Sequence, residues 1–248
     1  LAALPYAHIY PDPESRQLRQ AISAYTGVPF DNILAGAGAD ELIDLIMRLL
    51  LDPGDCILNC PPTFGMYKFD AEVNNARVIS VPRKADFSLD LDGISEAVTT
   101  HQPKVLFLAS PNNPDGSLLP YEVVITLLEL PLILVLDEAY MDFSETESMI
   151  THVPEYENLI VLRTFSKWPG LAGMRVGYGV FPAWMMPHLW KIKQPYNVSV
   201  AASTAATVSL ENVSQLEART NLLITERGRL YQELRAIPWL HPYPSQAN

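Results

Sequence analysis

The 248-residue chain is 48% hydrophobic and 18% charged, enough apolar side chain to build a sizeable core in one large domain or two. A formal charge of −11 with no Lys/Arg-rich block argues against a nucleic-acid-binding surface, so an anionic ligand needs a local cluster of cations. No apolar run reaches membrane-spanning length, since Leu127 to Leu136 is broken by Glu129 and Pro131.

The first predicted element is an amphipathic helix over Pro13 to Tyr25, with Leu18, Ala21, Ile22 and Tyr25 at helical spacing and Gly27 beyond. A second helix, Ala39 to Leu51, carries so broad an apolar face that burial is expected, and Pro53-Gly54 stops it. Strand candidates follow at Cys56 to Asn59, Arg77 to Val81, Lys104 to Ser110, Leu132 to Leu136, Leu159 to Thr164 and Arg175 to Val180. Helical patterns alternate with them at Tyr67 to Val73, Ile94 to His101, Tyr121 to Leu130, Trp184 to Lys193 and Val200 to Leu210. A long charged helical pattern, Val213 to Ile237, precedes the proline-rich end. This alternation predicts an α/β fold: a three-layer sandwich around a mostly parallel sheet.

Cys56 and Cys60 lack a second Cys/His pair, which argues against zinc and for a reduced intracellular protein. The five histidines are scattered without metal-ligand spacing, so no metal is expected. Nothing at the amino end resembles a signal peptide, and a start at Leu1 rather than Met leads us to expect upstream sequence, with any targeting information in it.

The chemistry concentrates around Thr164-Phe-Ser-Lys167 and Arg175. A lysine amine can condense with an aldehyde, while two hydroxyls and a guanidinium can bind a phosphate dianion. Asp137 follows an apolar strand, so it is expected at a carboxyl end, where open α/β sheets bind ligands. There a buried carboxylate can keep a pyridine nitrogen protonated. Tyr140 and Asn113 can hydrogen-bond a ring phenolate, and Phe64 can stack on the ring, although core and turn roles suit these three residues equally well. Gly36-Ala-Gly38-Ala39-Asp40-Glu41 is neither a dinucleotide fingerprint nor a Walker loop. It still offers free backbone N–H groups at a helix start, which suit a phosphate.

Together Tyr10-Pro-Asp-Pro13, GAGADELIDLI (36–46), DPGD (52–55), CPPTFGMY (60–67), SPNNPDG (110–116), LDEAYMDFS (136–144), LRTFSKWPGLAGMRVGYG (162–179) and KQPYNVS (193–199) resemble histidinol-phosphate aminotransferases, especially the plant and green-algal form. The resemblance implies the fold-type I architecture of enzymes using pyridoxal 5'-phosphate. It implies that Lys167 anchors the cofactor as a Schiff base and moves the proton between Cα and C4'. It further implies that Asp137 pairs with the pyridine nitrogen, that Tyr140 and Asn113 bind O3', and that Phe64 lies against the ring. The phosphate falls to the Ala39 and Asp40 amides, Thr164, Ser166 and Arg175, with Tyr10 reaching in from the second subunit of a homodimer.

The implied substrates are histidinol phosphate and 2-oxoglutarate, and the plant-like form implies a plastid. The implied organisation is an amino-terminal segment and dimer-contact helix (1–27), a cofactor-binding large domain (28–205) and the start of an incomplete small domain (206–248). The missing part is expected to include the arginine for the substrate carboxylate. Trp168-Pro169 departs from the family, which more often has small or aromatic residues before Gly170. Another fold-type I aminotransferase, a phospho-amino-acid decarboxylase, or a non-catalytic fragment that retains cofactor binding stay open as alternatives.

Overall fold

A computed structural model describes residues 8–248, so the first seven positions of the expected 1–27 segment lie outside it. In chain order come α1 (Arg16–Thr26), β1 (Ile33–Gly36), α2 (Ala39–Leu50), β2 (Cys56–Asn59), α3 (Met66–Val73), β3 (Arg77–Ser80), α4 (Leu91–His101) and β4 (Val105–Ala109). Then follow α5 (Tyr121–Leu128), β5 (Ile133–Asp137), β6 (Leu159–Thr164), β7 (Gly177–Val180), α6 (Met186–Ile192), α7 (Val200–Glu211) and α8 (Val213–Arg235). The sheet order is β1-β7-β6-β5-β4-β2-β3. Neighbours from β6 to β3 pair in parallel, whereas β7 runs antiparallel to both β1 and β6.

The central strands are apolar on both faces, and their period of two divides the core. Leu106, Leu108, Leu134, Leu136, Leu159 and Val161 pack with Leu18 and Ile22 of α1, Ile94 of α4, Val124 and Leu127 of α5, and Ala202 and Ala206 of α7. The alternate row, Val105, Phe107, Val135, Ile160 and Leu162, packs with Leu42 and Ile46 of α2, Tyr67 and Ala71 of α3, and Leu189 of α6. Three layers result, as the alternation of elements predicts. Each such leucine, fully withdrawn from water, contributes about 1.5–3 kcal/mol before chain entropy is subtracted.

Several local features depart from the sequence-based expectation, among them the starts of α1 at Arg16 rather than Pro13 and of α4 at Leu91 rather than Ile94. β1, four buried residues, falls between α1 and the glycine turn, where no strand was predicted. The expected strand beginning at Arg175 begins instead at Gly177, because Arg175 closes a 3-10 turn (Ala172–Met174) in the left-handed region, at φ 49°. Met186, rather than Trp184, opens α6.

A buried ion network lies behind the sheet. Arg163, at the end of β6, donates to Glu138 at 3.1 Å and to Asp142 at 2.6 Å, and all three side chains are less than a tenth exposed. Glu138 also accepts from the Met149 amide at 2.8 Å and from the Ser148 hydroxyl. The network ties β6 to the segment that leaves β5 and carries Tyr140. Removal of its cation leaves two carboxylates buried together, so Arg163→Met is expected to cost about 3–5 kcal/mol. Urea denaturation checks this, and a loss below about 1 kcal/mol would show the network to be dispensable.

Candidate active site

A cleft of about 190 Å³ opens at the carboxyl ends of β4, β5 and β6. Ala39, Asp40, Phe64, Asn113, Asp137, Tyr140, Thr164, Ser166, Lys167 and Arg175 all line it, although they come from six separate stretches of sequence. Tyr10 does not. It is exposed on the surface of this chain, with its ring 4.9 Å from that of Tyr196.

Strand alternation explains which polar groups arrive. Asp137 continues the row of Ile133 and Val135, so it faces α3 at the point where β5 ends. Thr164 likewise continues the row of Ile160 and Leu162 towards α2. Asp137 is 5% exposed. Its Oδ2 accepts from the Tyr67 hydroxyl at 2.8 Å, and its Oδ1 from the Ala139 amide at 3.1 Å. Burial pushes its carboxyl up to about 6, opposed by those two hydrogen bonds and assisted by the Asp40 and Glu138 charges. Tyr67 was not among the sequence-predicted site residues. The available signal was its place three residues after Phe64, at the start of the helical pattern that follows.

Elsewhere in the cleft a guanidinium, two hydroxyls and the Asp40 carboxylate come together. Arg175 donates to Asp40 Oδ2 at 2.7 Å, to Ser166 Oγ at 3.3 Å and to the Ala172 carbonyl at 3.2 Å. The Ser166 amide donates to Thr164 Oγ1 at 3.1 Å, which folds the hydroxyls into one turn. Here α2 presents its amino terminus, where backbone N–H groups lack helical partners and favour an anion.

Two glycines allow this approach. A Cβ at Gly38, whose φ is 84°, would lie 2.5 Å from the Arg175 guanidinium. One at Gly177 would lie 2.7 Å from the Ala39 amide nitrogen. The cradle therefore fits a compact polyanion such as a phosphate.

The cleft is also lined by an exposed Lys167, its Nζ 5.4 Å from the Tyr140 ring centroid, and the half-buried Phe64. The Asn113 loop is pinned by its neighbour. Asn112 donates to the Pro62 carbonyl at 3.1 Å, bonds Asp115, and accepts from Thr63 at 2.9 Å, which ties the two loops that flank the cleft.

An amine, an anion cradle, a buried carboxylate and aromatic side chains thus line one cleft, a set of groups that suits a planar, phosphorylated carbonyl compound. The chain belongs to the aminotransferase class I and II family, which it matches over residues 2–248. It is 56% identical to the chloroplastic histidinol-phosphate aminotransferase of Nicotiana plumbaginifolia, over all of this chain and 60% of that protein. The chloroplastic histidinol-phosphate aminotransferase 1 of Arabidopsis thaliana is 54% identical over the same shares. The crystal structure of histidinol-phosphate aminotransferase from Sinorhizobium meliloti in complex with pyridoxal-5'-phosphate superposes with a TM-score of 0.92 at 31% identity. It covers all of this chain and 68% of that one. The chain thus spans about 60% of the length of its plant relatives.

The raised carboxyl carries a consequence for stability. Because the folded-state value of Asp137 lies above its ordinary 3.8, the folded protein holds the extra proton, and stability falls as pH rises from about 4 to about 6. Asp137→Asn is therefore expected to stabilise the ligand-free protein by about 1–3 kcal/mol at pH 7.5. Urea midpoints checked across pH should show the gain shrinking through that window and gone below it. A gain independent of pH would contradict the assignment.

Proposed function

We propose that this chain is the cofactor-binding part of a histidinol-phosphate aminotransferase. The reaction exchanges the amino group between L-histidinol phosphate and 2-oxoglutarate in histidine biosynthesis, giving imidazole acetol phosphate and glutamate. The observation that carries the reading is the convergence of Lys167, Asp137 and the Arg175 cradle on one cleft. The identity of more than half to the plant enzymes supports the substrate choice.

Pyridoxal 5'-phosphate, when bound, supplies an aldehyde for amine capture and a ring that takes up electrons from the substrate Cα. The protein's part is binding, orientation and proton movement. Arg175, Ser166, Thr164 and the Ala39 and Asp40 amides would hold the phosphate, with Arg175 exchanging the Asp40 carboxylate for it. Asp137 would hold the ring nitrogen in its protonated form. Tyr140 and Asn113 would hydrogen-bond the ring oxygen, and Phe64 would cover one face and exclude water. The Lys167 amine would anchor the aldehyde and, when displaced by the substrate amine, carry the proton at the substrate Cα.

The same reading makes the protein a homodimer with Tyr10 of the partner subunit reaching the phosphate, and places it in the plastid. Residues 28–205 would form the large domain and 206–248 the start of a smaller one.

Borohydride reduction with peptide mass analysis should fix the cofactor on Lys167, and Lys167→Ala should abolish it. Label on another lysine would overturn the assignment. Arg175→Ala should weaken pyridoxal phosphate binding about 10–100-fold, the share of a charged hydrogen-bond pair. Formation of glutamate from histidinol phosphate and 2-oxoglutarate tests the reaction, and release of carbon dioxide without need of 2-oxoglutarate would indicate a decarboxylase instead.

A further inference from the structure

Tyr67 carries a hydroxyl that its surroundings do not otherwise require. Its ring is fully buried, stacked 5.2 Å from Phe107 and met edge-on by Phe64 at 5.5 Å. A phenylalanine fills such a cage equally well, and a buried hydroxyl without a partner costs free energy. The hydroxyl has one partner, Asp137 Oδ2 at 2.8 Å, and among the described residues no other side chain donates to that carboxylate. With the Ala139 amide on Oδ1, the two donors engage both oxygens and fix the plane of the carboxylate.

The charges around Asp137 oppose its ionisation. Asp40 lines the same cleft, and Glu138 is the next residue, although Arg163 pairs with it. Lys167 and Arg175 are the cations of the cleft, and Arg175 is engaged by Asp40. Tyr140 also lines the cleft, yet it makes no hydrogen bond to Asp137. Against burial and two neighbouring carboxylates, the two hydrogen bonds favour the anion, and the Tyr67 bond, at 2.8 Å, is the shorter of them.

We infer that Tyr67 is a positioning residue, which keeps Asp137 ionised and oriented so that it holds the proton on the cofactor's ring nitrogen. The inference rests on the pyridoxal phosphate reading above. It implies that Tyr67→Phe, which removes one oxygen and leaves the aromatic cage, changes the electronics of the bound ring while leaving the fold in place.

The test has two readouts besides turnover. In the ligand-free protein with ¹³C-labelled aspartate, Tyr67→Phe should raise the pH at which the Asp137 carboxyl titrates by about one unit, the share of one charge-assisted hydrogen bond. A fluorinated tyrosine at position 67, a stronger donor, should lower it, an opposite movement that a loss of packing does not produce. With pyridoxal phosphate carrying ¹⁵N in its ring, the bound nitrogen should lose its proton at lower pH in Tyr67→Phe than in the wild type.

An unchanged carboxyl titration in folded Tyr67→Phe, or an unchanged ring nitrogen, overturns the inference while leaving the proposed function intact. Failure of the wild type to take up pyridoxal phosphate overturns the proposed function, and the ring-nitrogen role of Tyr67 with it.

Discussion

Strands β4, β5 and β6 are buried on both faces, so a polar side chain on them reaches a ligand only at a strand end. The rest of the molecule follows from that constraint. The row that runs through Phe107 and Val135 delivers Asp137 beside α3, and the row through Ile160 and Leu162 delivers Thr164 beside α2. The opposite row ends in Arg163, which points away from the cleft and is tolerated there because Glu138 and Asp142 meet it. One face of the sheet therefore ends in chemistry and the other in a structural ion network. That network in turn braces the Tyr140 segment.

The cleft also reconciles an acidic chain with an anionic ligand. A formal charge of −11 repels a phosphate at long range, yet screening confines that repulsion to about a Debye length. Within the cleft, local geometry decides. The amino terminus of α2, the hydroxyls of Thr164 and Ser166 and the Arg175 guanidinium meet at one point. Gly38 and Gly177 make room for them at the junction of α2 and β7.

Much of this was legible in the residues because strand-end polar groups stand next to long apolar runs. VLD137 and LRT164 show the switch directly, and Lys167 and Arg175 follow Thr164 by three and eleven positions. What escaped did so for physical reasons. Hydrophobic pattern carries no strand direction, so nothing revealed that β7 runs against its neighbours. Ile-Leu-Ala-Gly is too short to separate from the turn after it, and β1 was missed. Arg175 was assigned to a strand, since a left-handed residue before Val176-Gly177 leaves no compositional mark when it is not glycine. Tyr67 belongs to the hydrophobic core by every measure of burial, and only the three-dimensional fold brings its hydroxyl to Asp137.

The reversed strand has a kinetic side. β1 has one neighbour in the sheet, β7, and their pairing joins residues 33–36 to residues 177–180. During synthesis β1 must therefore wait for about 140 further residues, roughly 7 to 28 seconds at about 5–20 residues per second. Throughout that interval the apolar face of α2 lacks the β7 and α6 surfaces that it later covers. The anion cradle, which needs α2 beside Arg175, therefore cannot assemble before the segment that carries Arg175 and β7 has emerged.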